Sequence, residues 1–261
     1  MVRKSAITLF VLGLAVAAAA SAQATVLVSE GFTYPDGNLV PNGGWANYSG
    51  ASVDIQVVSG RAVGGGPTNP ANDDHILFTP QALTDKTYAC FQVTIPAIAG
   101  PPKPIYFAEL KDATAAALVS RVYVLPVAGG WTFGISHSST SSTVGVTPWT
   151  TPLVYDVPYQ VVINYDPVAK TSTLWVDPID ESSPSVTDTN PAVAALAVQG
   201  FGLRQSVSAS TLPPSPAYVG TTDWIFQVDN LGVGTTFDDA CFQLATPAKS
   251  ATWGTVKTLY R

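Results

Sequence analysis

The sequence predicts an all-β chain folded as a two-sheet antiparallel jelly-roll sandwich, and three observations carry that expectation. From Thr25 to about Gly234 apolar and polar residues alternate in short runs rich in β-branched and aromatic side chains. Clusters of Gly, Pro, Asn and Asp break these runs, supplied by 21 Gly and 21 Pro in 261 residues. No long segment shows helical spacing; the only helix-like stretches are weak, around Thr114–Ala117 and Pro191–Val198. Many short strands separated by turn residues are the pattern of a sandwich or jelly roll.

The chain opens on Arg3 and Lys4, an apolar stretch from Ile7 to Ala20, and small residues at Ser21–Ala24. This order reads as a secretory signal peptide, since the apolar stretch is shorter than the roughly 20 residues of a bilayer span. Residues 1–24 are expected to be removed after Ala24, or alternatively after Ala22, giving a secreted product at an extracellular or cell-surface location. No later stretch is long enough for a membrane span. Strand-like runs then follow at Val26–Glu30, Val53–Gly60, His75–Phe78, Thr87–Ile95, Ile105–Lys111 and Leu118–Leu125. Others lie at Trp131–His137, Tyr159–Tyr165, Thr171–Asp177, Gly200–Gln205 and Trp224–Gly234. Without an internal repeat, these runs are expected to form one domain over residues 25–244. Residues 245–261 differ in composition: a linker leads to a short basic amphipathic tail with Trp253, Val256 and Tyr260 at helical spacing and Lys257 and Arg261 near the end. Such a tail reads as a sorting or surface-attachment contact, or as a docked or frayed terminus.

Charge and cysteine content limit the function. Charged residues make up 11% of the chain and the formal net charge is −6, so a nucleic-acid partner held by phosphate neutralisation is not expected. A hydrophobic content of 46% argues against disorder. In an oxidising compartment the two cysteines, Cys90 and Cys241, are expected to pair in a disulfide that ties the end of the domain back onto the sandwich.

Several segments resemble the concanavalin A-like lectin/glucanase superfamily, in particular LamG-like jelly rolls of bacterial secreted proteins. They are EGFTYPDGNLVPNGGW (Glu30–Trp45), YFAELKD, TLWVDP (Thr173–Pro178), FGLRQ and the closing FQVDNLGVGTTF (Phe226–Phe237). The resemblance implies the sandwich fold but no single activity, because the superfamily holds lectins, glycosidases and modules without a known ligand. It also implies a structural calcium between the first and last strands, which would fall to Glu30 and Asp229, completed by backbone carbonyls and water. Local capping of a turn by Asp229 is the alternative. No other cofactor is expected.

Catalytic patterns are missing. Glucanases of that superfamily carry two Glu and an Asp at alternating positions of one strand, but the three Glu here, at 30, 109 and 181, form no such run. The cluster Asp177, Asp180 and Glu181 is interrupted by Pro178 and reads as a turn. Asp73 precedes His75 by two, but NPANDD reads as a turn as well, and His137 has only Ser and Thr around it.

Binding has better support. Strict alternation places Phe107, Glu109 and Lys111 on one face of their strand, and Val119, Arg121 and Tyr123 on one face of the next. Trp175 and Arg204 occupy the second faces of theirs. If these faces belong to one concave sheet, Glu109, Lys111, Arg121, Tyr123, Trp175 and Arg204 line a groove that offers aromatic platforms and polar groups to a sugar. In the other reading, Glu109 and Arg121 form a cross-strand ion pair and Trp175 simply covers the sheet. The expected protein is therefore a secreted, non-catalytic module that binds a glycan or other extracellular surface ligand. A structural or adhesive envelope component without a small-molecule site is the second expectation, and a glycoside hydrolase the third.

Overall fold

The computed structural model describes residues 25–50, 52–66, 72–137, 145–205 and 220–241. The expected leader and the basic tail lie outside the described residues, as does the proposed boundary at residue 244.

In chain order the strands begin with β1 (Val26–Glu30), β2 (Gly37–Asn38), β3 (Trp45–Ser49), β4 (Gln56–Val57), β5 (Ala62–Gly65) and β6 (Asp73–Leu77). Next come β7 (Thr87–Thr94), β8 (Ile105–Lys111), β9 (Leu118–Val127), β10 (Gly130–Ser136) and β11 (Thr147–Pro148). The series closes with β12 (Pro158–Asp166), β13 (Thr171–Val176), β14 (Ser185–Thr189), β15 (Gly200–Leu203) and β16 (Ile225–Gly234), followed by a short helix, α1 (Phe237–Cys241). One nine-stranded sheet runs β14-β13-β12-β7-β16-β5-β4-β2, with β1 also pairing to β16. The seven-stranded sheet runs β11-β10-β9-β8-β15-β6-β3. Every pairing between these strands is antiparallel, and the chain passes repeatedly from one sheet to the other, as a jelly-roll sandwich requires. Among the described residues no helix is long and apolar enough to cross a membrane.

The inner faces meet in one core. Phe107 sits at its middle, with ring centroids 5.5 Å from Phe226, 5.8 Å from Trp224, 6.1 Å from Phe133 and 6.3 Å from Phe91. Trp131, Phe133 and Ile135 of β10 are all fully buried there, as the sequence suggests.

Phe107 also corrects the alternation. Tyr106 pairs with Tyr123 and Ala108 with Val122, so Phe107 is an extra residue in β8. Such a bulge shifts the side-chain alternation by one. Phe107 therefore turns inward, and Tyr106 takes the outer face with Glu109 and Lys111. A second irregularity follows, where Ala108 and Leu110 face Val122 and Val119. There Ser120 adopts φ 48°. Its Oγ lies 3.0 Å from the Asn164 carbonyl and 2.7 Å from Ser172 Oγ, both in the other sheet. Val119 joins the core, against the expectation that it shares a face with Arg121 and Tyr123.

A smaller apolar cluster lies on the far side of the nine-stranded sheet. Tyr88, Cys90, Val162 and Trp175 pack there beneath Phe237 and Ala240 of α1. Cys90 and Cys241 form the expected disulfide, with Cα atoms 5.2 Å apart, and it fixes α1 to β7.

Candidate functional site

The site is built on β15, whose side chains alternate without exception. Phe201 and Leu203 face the core, leaving Gly200 and Gly202 on the outer face. A Cβ at Gly202 would fall on the Glu109 carboxylate and 3.3 Å from Lys111 Cδ. A Cβ at Gly200 would lie 3.2 Å from Lys111 Cγ. The two glycines thus let Glu109 and Lys111 of β8 lie flat across β15 and reach β6 and β3 beyond it.

There they meet partners that the sequence did not reveal. Tyr48 of β3 donates its hydroxyl proton to Glu109 Oε1. Lys111 Nζ donates to His75 Nδ1 at 3.0 Å and to the Asp112 carbonyl at 2.9 Å, and sits 4.4 Å from the centre of the Tyr48 ring. His75 stacks on Tyr48 with centroids 5.2 Å apart. Asp73, in β6 with His75 and not in a turn, accepts the Gln205 N–H at 3.1 Å and faces Arg204 Nε at 3.9 Å. On the other side of the face, the Arg204 and Arg121 guanidinium carbons lie 4.5 and 5.0 Å from the centre of the Tyr106 ring. Arg121 is also 5.8 Å from the Tyr123 ring.

Burial sets the charge states. Glu109 and Lys111 are fully buried, while Arg121 and Arg204 are 6% and 9% exposed. Desolvation raises the Glu109 carboxyl to about 7, against a lowering by the Tyr48 hydrogen bond. The same cause lowers His75 to about 4, helped by Lys111, so His75 is a neutral acceptor at pH 7. Lys111 is lowered by burial too, and Tyr106 is raised to about 12. The result is a patch of three cations, three tyrosines and a carboxyl that titrates near neutrality, on a chain of net charge −6.

Five of the six predicted ligand residues therefore share one face: Glu109, Lys111, Arg121, Tyr123 and Arg204. Trp175 does not. It lies on the opposite sheet, 4% exposed under α1, with its centroid 5.7 Å from Phe237 and its Nε1 donating to the Glu181 carbonyl at 3.2 Å. The expected Glu109–Arg121 ion pair is not among the ion pairs of the described residues. The two irregularities between β8 and β9 leave Glu109 without a residue directly opposite, and it turns toward Tyr48. Tyr48 and Tyr106 were not among the expected residues, and Asp73 and His75 were set aside because NPANDD reads as a turn, although Gly-Phe-Gly in β15 was a readable sign that something crosses that strand.

The other predicted residues serve the framework. Three donors converge on the Glu30 carboxylate: the Phe32 N–H at 2.6 Å, the Tyr34 hydroxyl at 2.7 Å and Trp45 Nε1 at 3.0 Å. Three of the carboxylate's roughly four acceptor positions are thus taken by protein hydrogens, which suits a structural acceptor better than the calcium role the resemblance implies. Asp229 Oδ1 accepts the Asn230 N–H at 2.7 Å, the local capping named as the alternative. Among the described residues no group of three or more His, Cys, Asp or Glu is placed to hold a metal ion. His137 is buried between the sheets, stacked on Tyr165 at 5.5 Å with Nδ1 2.9 Å from Ser172 Oγ. A separate groove of about 670 Å³ lined by Thr25, Leu27, Gln81, Lys86 and Thr235, among others, has no aromatic side chain in its wall.

This architecture is that of a jelly-roll β-sandwich protein. No family model matches the chain, and no curated protein matches it in sequence. Several solved structures are similar in fold to different degrees. The CBM2 module of Lactobacillus casei BL23 phage J-1 evolved Dit is 12% identical with a TM-score of 0.50, covering 82% of this chain and 96% of that one. The structure described as HCR/D-Sa-GBL1/C is 5% identical with a TM-score of 0.53, covering 86% of this chain and 52% of that one, so the chain spans about half its length. Peanut lectin is 14% identical with a TM-score of 0.43, covering 76% and 93%. At such identities the likeness concerns the fold alone.

Proposed function

We propose that this chain is a secreted, non-catalytic module that binds a glycan on the outer face of its seven-stranded sheet. One observation carries the reading: glycines at 200 and 202 let Glu109 and Lys111 lie across β15 toward Tyr48, on the same face as Arg121, Arg204, Tyr106 and Tyr123. A sugar ring has apolar faces and a rim of hydroxyls, and tyrosine rings beside fixed donors and acceptors complement both. The CBM2 module among the solved structures of this fold is compatible with the reading. The disulfide supports a location outside the cytoplasm. The reading requires Glu109, Lys111, Arg121 and Arg204, all buried in the free protein, to become reachable when ligand binds.

A glycan-array screen of the full chain tests the proposal, paired with Arg204→Ala and, as a control on the opposite sheet, Trp175→Phe. The expected result is a defined set of bound glycans, lost in Arg204→Ala and kept in Trp175→Phe. If no glycan binds, the structural or adhesive role takes its place.

A second reading rests on Glu109. A buried carboxyl held near 7 and close to Asp73 has the ionisation of a general acid. Glycoside hydrolysis needs a second carboxylate as nucleophile or base, and Asp73 is already engaged by Arg204 and the Gln205 N–H. The binding role is therefore favoured. Release of reducing ends from labelled β-glucans would reverse that preference.

A further inference from the structure

We infer that the glycan is an acidic one, and that a uronate carboxylate seats on the Nε–Nη2 edge of Arg121. The inference rests on the reading that this face binds a glycan, and it names the ligand class.

Arg121 is 6% exposed, yet its Nε and Nη2 have no hydrogen-bond partner among the described residues. The other cations of the face are provided for. Lys111 donates to His75 and to the Asp112 carbonyl, and Arg204 faces Asp73. Among the described residues, Arg121 Nε and Nη2 have no hydrogen-bond partner, and the guanidinium carbon lies 5.0 and 5.8 Å from the centres of the Tyr106 and Tyr123 rings. A buried lysine or histidine relieves such isolation by losing its proton, as Lys111 and His75 are both shifted to do. A guanidinium cannot, because it stays charged at every accessible pH. A buried permanent cation without an anion is costly, and the cost is removed only if an anion arrives.

The identity of the two vacant nitrogens narrows that anion. Nε and Nη2 form the side of the guanidinium whose two N–H bonds are parallel, and a planar carboxylate accepts both at once. Glu109 Oε2 on the same face is also buried and has no hydrogen-bond partner among the described residues, and serves a sugar hydroxyl as acceptor, or as donor when protonated. General attraction of polyanions does not account for such a site, because the chain as a whole carries −6.

Calorimetric titration of the full chain with three probes tests this: oligogalacturonate, its methyl ester, and a sulfated neutral galactan. Oligogalacturonate is expected to bind at least about tenfold more tightly than the ester, a difference of about 1.4 kcal/mol. In Arg121→Lys, which keeps the charge but loses the paired donors, that preference should collapse toward unity. Equal binding of acid and ester overturns the inference and leaves the glycan reading standing. Binding of the sulfated chain alone overturns the carboxylate assignment, and failure of all three probes together with a blank glycan array overturns both readings. A stability measurement guards against misfolding. With no anion paired to Arg121 among the described residues, ligand-free Arg121→Met should melt at the wild-type temperature or above, whereas a drop of several degrees would show that Arg121 is already paired and would overturn the inference.

Discussion

Glu109 is held by competing local forces, and the pH dependence of stability exposes them. Burial raises its carboxyl from 4.5 to about 7, so the folded chain keeps a proton that the unfolded chain releases. The stabilisation from that proton is complete below pH 4.5 and is lost as pH rises to about 7. His75 works in the opposite sense: lowered from 6.5 to about 4, it costs stability as pH falls through that interval. Comparing wild type with Glu109→Gln cancels the His75 contribution. Wild type should lose thermal stability relative to Glu109→Gln between pH 4.5 and 7.5; a constant difference would show that Glu109 is not buried as described. Trp175 illustrates the other kind of residue. Trp175→Ala should cost about 3–5 kcal/mol, as removal of a buried aromatic does, while Trp175→Phe leaves glycan binding intact. Calorimetry and a binding isotherm separate the two effects.

At the scale of elements, the sequence was most legible where alternation is unbroken and least where it slips. Strands β1 and β8 fall where the sequence places them, because each is a continuous β-branched and aromatic run between turn residues. The faces within β8 and β9 were misjudged, since one extra residue at Phe107 and another beside Ser120 invert the alternation without changing composition. The short strands β2, β3, β5, β11 and β14 carry little apolar periodicity and are held by their neighbours. That is why Tyr48 on β3 and Asp73 at the start of β6 were not foreseen as site residues. Conversely, Arg121, Arg204, Glu109 and Lys111 were recoverable, because a charged residue in an apolar strand has few uses other than a second face. The glycines of β15 provide a direct check. Gly202→Ala should displace Glu109 from Tyr48 and weaken glycan binding while the fold is retained, as read by binding and by circular dichroism.

For the whole molecule, the disulfide and α1 pack against the nine-stranded sheet, opposite the sheet that carries the proposed ligand face. Cys90 and Cys241 are separated by 151 residues, and the chain-entropy model gives about 4–5 kcal/mol for closing a loop of that length. Cys241→Ser should therefore lower the melting temperature by at least about 5 °C, given roughly 2–4 °C per kcal/mol for a chain of this size, without altering ligand selectivity. Chelator should leave the melting temperature unchanged, since three protein donors already hold the Glu30 carboxylate.

Hydrogen–deuterium exchange of the full chain, with and without an array-selected oligosaccharide, tests the central claim most directly. Protection confined to β6, β8, β9 and β15 is the predicted result. Protection at β13 and α1, with none on the seven-stranded sheet, would contradict the assignment of the ligand face.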